Sequence, residues 1–99
     1  MKFYPALLAA VLAVSLNAQA ASEQGEKLFK QTCATCHGKQ GEKMAMGQSA
    51  IIQQLTEQEI IEALQERRAG KVTGAGNKAK ARLTDQDMQN LADFLQSLK

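Results

Sequence analysis

Residues 33–37 of the chain read Cys33-Ala34-Thr35-Cys36-His37, the C-x-x-C-H pattern through which c-type haem is attached to protein. In this pattern two thiols add to the two vinyl groups of one porphyrin, and the two-residue spacer places both under the same ring edge. The histidine that follows can act as proximal ligand of the iron, and His37 is the only histidine in the chain. The motif therefore predicts one covalently bound haem c, with Cys33 and Cys36 as thioether anchors and His37 as axial ligand.

Three other uses of the cysteines have to be weighed against haem. A C-x-x-C pair can be a thioredoxin-like redox motif, but that motif belongs to a β-α-β setting, and the sequence has no strand-like alternation. A zinc site normally has four ligands, whereas two cysteines and one histidine supply three. A disulfide between Cys33 and Cys36 would close a very small loop and would stabilise little. We therefore expect covalent haem.

The first 20 residues are typical of a bacterial secretory signal peptide. Lys2 provides a short positive region, and residues 6–16 form an apolar run shorter than the roughly 20 residues that span a bilayer. Ala18-Gln19-Ala20 matches the small-x-small cleavage pattern. We expect residues 1–20 to be a cleaved signal peptide rather than a membrane anchor, and residues 21–99 to form a single haem domain in the periplasm. Export agrees with covalent haem attachment, which takes place outside the bacterial cytoplasm.

Charge and composition give no indication of a nucleic acid or an anionic membrane as partner. The chain has a formal net charge of +2, with positive and negative residues nearly balanced. Phe29 and Phe94 are the only aromatic residues after position 20, so a domain of this size would be under-packed without a cofactor. The basic residues Lys78, Lys80 and Arg82 are expected to be solvated, with a docking surface for an acidic redox partner as the alternative.

The pattern of apolar residues predicts three helices and no strand, and hence an all-α fold. The first helix is expected over about residues 23–31, with Ser22 as its N-cap. Glycine is unfavourable inside a helix, so Gly25 indicates that another helix crosses closely at that point. The segments 38–55 and 70–83 are expected to be loops, and the second is rich in glycine.

The other two helices are indicated by their ends. Thr56 and Glu59 form a capping box at the start of the second helix, which is expected to end near Ala69 with Gly70 as its C-terminal stop. Thr84 is the expected N-cap of the third helix. The apolar stripe of this last helix follows the spacing i, i+3, i+4, i+7 and consists of Met88, Leu91, Ala92, Leu95 and Leu98.

Three stretches of the chain match one known family. They are Gly25 with Leu28-Phe29, the motif Cys33-Ala34-Thr35-Cys36-His37-Gly38, and Leu91-Ala92-Asp93-Phe94-Leu95. With them the chain resembles the class I cytochromes c, and within these the small bacterial cytochrome c-553-like group. The resemblance implies a cytochrome c-like fold of three main helices around one covalent haem. It also implies that the first and last helices cross at Gly25, Phe29, Leu91 and Phe94.

The chain departs from that family at the second axial ligand of the iron. Members of the family carry a methionine in the glycine-rich loop before the last helix, and residues 70–83 contain none. Met88 lies on the apolar stripe of the last helix and is expected in the core. The remaining candidates are weak ones in the two loops: Met44, Met46, Asn77, Lys78 and Lys80. We expect an open or water-occupied sixth position.

Two functions follow from these features. The first is a one-electron carrier that exchanges electrons with periplasmic or membrane-bound redox proteins and is monomeric. The second is a haem protein whose open iron binds or senses a small ligand such as CO or NO, because the distal pocket decides what binds. The chain can also be a subunit of a larger oxidoreductase. Catalysis by the chain itself is not expected, since there is no second histidine and no acid–base constellation.

Overall fold

The computed structural model describes residues 20–47 and 49–99, and this part of the chain is helical without a strand. The predicted signal peptide lies outside the described residues except for its last position. Within those residues no helix is long and apolar enough to span a membrane. The described part of the chain contains five helices: α1 over residues 20–32, α2 Ala34–His37, α3 Glu57–Arg68, α4 Asn77–Lys80 and α5 Asp85–Ser97. Two short 3-10 turns, Ala45–Gly47 and Ile52–Gln54, lie between α2 and α3.

Helix α1 differs from the expectation at its start. Residues 20 and 21 are already helical, so Ser22 lies inside the helix and is not its N-cap. The reason is that both residues are alanine, the strongest helix former, and they continue the helix through the predicted cap. At the other end, Cys33 N–H donates to the Phe29 carbonyl at 2.8 Å, so the haem motif is joined directly to α1.

Helices α3 and α5 both begin with a complete capping box. The Thr56 hydroxyl accepts from Glu59 N–H at 3.1 Å, and the Glu59 carboxylate accepts from Thr56 N–H at 2.9 Å. Thr84 and Asp87 make the same reciprocal pair, both bonds at 3.0 Å. Two otherwise unpaired backbone donors are satisfied at each helix start, which confirms Thr56 and Thr84 as N-caps.

Thr56→Ala is expected to lower the free energy of unfolding by about 1 kcal/mol, because an N-cap hydroxyl is lost. Urea unfolding at neutral pH measures this, with Thr73→Ala as control, since the Thr73 hydroxyl has no partner among the described residues. The hydrogen bond from Thr56 N–H lowers the pKa of Glu59. Glu59 therefore stabilises the fold above its unfolded pKa, and this contribution is lost as the pH falls through the lowered value. An unchanged urea midpoint in Thr56→Ala would contradict the cap.

The C-terminal end of α3 is closed by a Schellman motif. Gly70 follows the C-cap Ala69 with a φ of +76°, a left-handed conformation that suits glycine. Gly70 N–H donates to the Arg67 carbonyl at 3.2 Å, and Lys71 N–H donates to the Glu66 carbonyl at 3.0 Å. Carbonyls at the end of the helix are thereby satisfied, and the prediction that Gly70 stops this helix is confirmed.

The core lies where α1 crosses α5, with α3 packed against them. The rings of Phe29 and Phe94 are 5.4 Å apart between centroids and tilted by 47°. A Cβ on Gly25 would come within 1.9 Å of the Asn90 carbonyl oxygen, so only glycine permits this approach. Met88 is 1% exposed, which confirms it as a core residue. The buried apolar side chains are Phe29, Ile60, Leu83, Met88, Leu91, Ala92, Phe94 and Leu95.

The two predicted loops contain short helical turns that sequence patterns did not indicate. Segment 38–55 holds both 3-10 turns, and segment 70–83 holds α4. Gln53 N–H donates to the Gly41 carbonyl at 3.0 Å, which brings the end of the first segment back toward the haem motif. One turn of helix has too few residues for a periodic apolar pattern, so hydrophobic periodicity does not indicate it.

Candidate haem site

The C-x-x-C-H motif forms a single helical turn at the end of α1. His37 N–H donates to the Cys33 carbonyl at 3.1 Å, and Gly38 N–H donates to the Ala34 carbonyl at 2.9 Å. Gly38 ends the turn with a φ of +85°, a conformation for which glycine is well suited. Residues three apart on a helix lie on the same side, so the turn presents Cys33 and Cys36 together. No disulfide joins Cys33 to Cys36, in contrast to the disulfide alternative.

The surroundings of Cys33 do not resemble a thioredoxin-like site. Burial raises the pKa of the Cys33 thiol, and the Thr32 hydroxyl and the Lys80 ammonium oppose this only in part. Redox-active cysteines have lowered pKa values in electropositive and accessible surroundings. The described residues also lack the strand that a β-α-β setting requires. Within the same residues, no group of three or more His, Cys, Asp or Glu side chains is placed to hold a metal ion.

His37 has the environment expected of a side chain that binds a group other than protein. Its Nδ1 is buried and has no hydrogen-bond partner among residues 20–47 and 49–99, whereas buried polar atoms are nearly always paired. Burial lowers the pKa of His37, and the nearby Lys80 ammonium lowers it further. The neutral imidazole is thereby favoured, which is the form that ligates metals. A haem iron fits this donor.

Several apolar side chains of the described residues are exposed or only partly buried. The large hydrophobic residues that are exposed are Met44 at 52%, Met46 at 73% and Val72 at 37%. Met44 and Met46 lie in segment 38–55, which follows the motif, and Val72 lies in segment 70–83. Leu28, Cys33, Ala34, Ile52, Leu55 and Leu64 are among those only partly buried against the core. A flat apolar group such as haem would cover the partly buried side chains at Cys33 and Ala34, because exposed apolar surface favours a bound group.

The structure separates the candidates for the sixth ligand of the iron. Met44 and Met46 are exposed, and Met46 adopts a left-handed φ of +54°. Both polar groups of the Asn77 side chain are already hydrogen-bonded. Its amide donates to the Val72 carbonyl at 2.6 Å, and its oxygen accepts from Arg67 at 3.3 Å. Lys78 is exposed.

Lys80 differs from the expectation of a solvated basic patch. Lys78 and Arg82 are exposed as expected, whereas Lys80 is half-buried. Its ammonium opposes the rise that burial causes in the pKa of Cys33, and it adds to the lowering of the pKa of His37 by burial. The direction of its side chain depends on α4, which was predicted as loop, and this is why the sequence did not distinguish Lys80 from Lys78.

Arg67 is a residue of this region that sequence reasoning missed as part of the site. Its Nη1 donates to the Thr73 carbonyl at 3.1 Å as well as to the Asn77 side chain. A Cβ on Gly74 would come within 2.5 Å of that same nitrogen. Arg67 thus ties the glycine-rich segment to α3. In the sequence it looked only like a basic residue at a helix C-terminus, and no local signal shows its partners.

Comparisons with known proteins agree with this arrangement. The sequence model of the cytochrome c family matches residues 22–99. Two proteins called cytochrome c-553, from two strains of Helicobacter pylori, are 35% and 36% identical to this chain over 74 residues, which is 74% of this chain and 77% of theirs. No solved structure gives a significant match. The chain belongs to the cytochrome c family, as a small class I c-type cytochrome with one covalently bound haem c.

Proposed function

We propose that this cytochrome is a periplasmic one-electron carrier in which Cys33 and Cys36 bear the thioether bonds and His37 is the proximal ligand. The observation that carries the proposal is the helical turn of residues 33–37, which presents both cysteines and a histidine whose buried Nδ1 has no hydrogen-bond partner among the described residues. Haem, when bound, supplies the one-electron chemistry between ferric and ferrous iron.

The fold holds the C-x-x-C-H turn firmly against the hydrophobic core. The backbone of Cys33 is bonded to the turn of α1 that carries Phe29, and Phe29 packs against Phe94 of α5. The motif is therefore fixed to the best-packed part of the molecule. Close-packed interiors resist displacement, so we expect His37 to move little when the iron changes oxidation state. Little movement on electron transfer favours a carrier.

The role of carrier requires a surface for transient partners. Lys78 and Arg82 are exposed on and just after α4, within the glycine-rich segment 70–83. Surface charge of this kind accelerates association with a partner of opposite charge. The partners of this proposal are periplasmic or membrane-bound redox proteins with an acidic docking surface, and the cytochrome acts as a monomer and not as an enzyme.

The alternative function is ligand binding at an open sixth position. It is favoured by one observation, the absence of methionine from residues 70–83. In this alternative a small molecule such as CO or NO binds the iron, and the two bordering segments select it.

Absorption spectra of the exported holo-protein, oxidised and reduced, test both functions, together with a redox titration and the addition of CO. For a carrier we expect one reversible one-electron step and a low-spin spectrum that CO does not change. A high-spin spectrum that shifts with CO would support the ligand-binding alternative. A purified protein without haem would refute both.

A further inference from the structure

The residue directly before the haem motif contacts the first cysteine of that motif. Thr32 is the last residue of α1. Its hydroxyl donates to the Leu28 carbonyl at 2.8 Å, and the same oxygen lies 3.3 Å from Cys33 Sγ. Position 32 lies outside the C-x-x-C-H pattern, so the motif by itself assigns Thr32 no role.

The hydroxyl oxygen of Thr32 is held in one place although the residue is exposed. Helical threonine commonly donates its hydroxyl to the carbonyl four residues back, and this contact restricts the side chain to few rotamers. Leu28, which supplies that carbonyl, is packed against the hydrophobic core. The oxygen that faces Cys33 is therefore fixed to a turn of α1 that is itself held by packing.

The two contacts of this hydroxyl determine the direction of the Cys33 thiol. A hydroxyl has one hydrogen to donate and two lone pairs that accept. Its hydrogen goes to the Leu28 carbonyl, so in the contact with Cys33 the Thr32 oxygen accepts and the S–H donates. When the thiol gives up its proton, the hydroxyl hydrogen can turn to the sulfur, and the contact is kept. Thr32 thus favours one of the three staggered rotamers of Cys33.

The motif contains a second threonine–cysteine pair that lacks this contact. Thr35 stands directly before Cys36, in the same relation as Thr32 to its cysteine. Thr35 and Cys36 are exposed, and no hydrogen bond joins their side chains in the described part of the chain. The structure therefore distinguishes two cysteines whose preceding residues are the same.

We propose that Thr32 is a positioning residue for haem attachment, whose hydroxyl holds the Cys33 sulfur in the orientation from which it adds to a vinyl group of the porphyrin. The proposal rests on the proposed function, since it takes Cys33 and Cys36 as the thioether anchors. It assigns Thr32 no contact with the iron and no part in electron transfer.

The addition at Cys33 needs no oxidant or reductant. The sulfur forms a bond to the vinyl carbon next to the ring, and the vinyl double bond becomes single. The proton that the thiol loses is balanced by one proton taken up at the outer vinyl carbon. A reacting group that is already held in the right geometry reacts faster. A thioether sulfur is only a weak acceptor, so Thr32 acts before the bond forms and not on the attached haem.

Single-cysteine chains test attachment at each anchor separately. In Cys36→Ala, where Cys33 is the only anchor, Thr32→Val removes the hydroxyl and keeps the size of the side chain. With three rotamers open instead of one, the ratio of haem-bearing to haem-free chains should fall about threefold, and Thr32→Ser should restore it. Intact mass of the exported protein after denaturation, sampled shortly after induction, measures this ratio. In Cys33→Ala, where only Cys36 reacts, Thr32→Val should leave the ratio unchanged.

Thr35→Val is the matched control, because it makes the same chemical change in the pair that lacks the contact. It should leave attachment unchanged in both single-cysteine chains. If Thr32→Val attached haem at Cys33 as well as Thr35→Val does, or lost attachment equally at both cysteines, the proposal would be overturned, the second result pointing to a general role in folding. A wild-type chain without covalent haem, or with haem bonded to other residues, would instead overturn the proposed function.

A second measurement uses the chain with both cysteines. Unreacted thiols are alkylated with iodoacetamide after denaturation and assigned by peptide mass spectrometry. We expect Thr32→Val to raise the share of unreacted Cys33 about threefold over the wild type and to leave that of Cys36 unchanged. Chains with both thioethers should keep the wild-type spectrum of the reduced haem. A wild-type share of unreacted Cys33, or a changed spectrum in fully attached chains, would contradict positioning of the thiol.

Discussion

Gly25→Ala is expected to lower the free energy of unfolding of the holo-protein by about 3 kcal/mol, at the upper end of the usual cost of overpacking. A Cβ at this position would lie 1.9 Å from the Asn90 carbonyl oxygen and 2.5 Å from its carbon. Both are backbone atoms of α5, so no side-chain rotation can relieve the contact. Helices α1 and α5 would have to separate, and the packing of Phe29 on Phe94 would loosen with them. The gain in helix propensity from alanine, about 1 kcal/mol, is smaller than this cost.

Chemical denaturation followed by the absorption of the haem and by circular dichroism measures this loss. Lys27→Ala is the matched control, because Lys27 is exposed on the same helix, and surface substitutions usually change stability by less than about 0.5 kcal/mol. If Gly25→Ala were as stable as Lys27→Ala, the two helices would not be in contact at this point and the crossing would be wrong.

Much of this fold is readable from local sequence. A glycine one turn before Phe29 predicted a close crossing, because glycine inside a helix needs a reason, and the reason is the backbone of Asn90. Thr56 followed by Glu59 predicted a helix start that has both reciprocal bonds. The start of α1 was predicted wrongly at Ser22, since a serine is a cap only where the preceding residues cannot be helical.

The haem motif can also be predicted from local sequence, because its chemistry lies in five consecutive residues. The opposite side of the site is built by contacts between positions far apart in sequence, such as Arg67 with Asn77. The direction of Lys80 follows from α4, which depends on those contacts. Propensities and periodicity describe single elements, so they do not show that Lys80 is half-buried whereas Lys78 is exposed.

The largest effect is expected on removal of the two thiols. In Cys33→Ala/Cys36→Ala no vinyl group can be bonded, so the denatured protein should retain no haem. Each single variant keeps one thioether and should retain haem after denaturation with half of the covalent anchoring. The spectrum of the reduced haem should then report one vinyl group that is still unsaturated. Intact mass and haem staining after denaturing electrophoresis measure these outcomes, with Thr35→Ala, an exposed spacer position, as control.

His37→Ala should separate attachment from ligation. Both thiols remain, so haem is still attached in part, whereas the iron loses the nitrogen that we assign to its proximal side. The attached haem should therefore survive denaturation with the wild-type mass increment and yet give a native spectrum unlike that of the wild type. Burial of the unpartnered Nδ1 supports this role, because a solvated histidine would need no bound partner. A wild-type spectrum in His37→Ala, or haem bound covalently in the double cysteine variant, would show that the iron and the porphyrin are held by other residues.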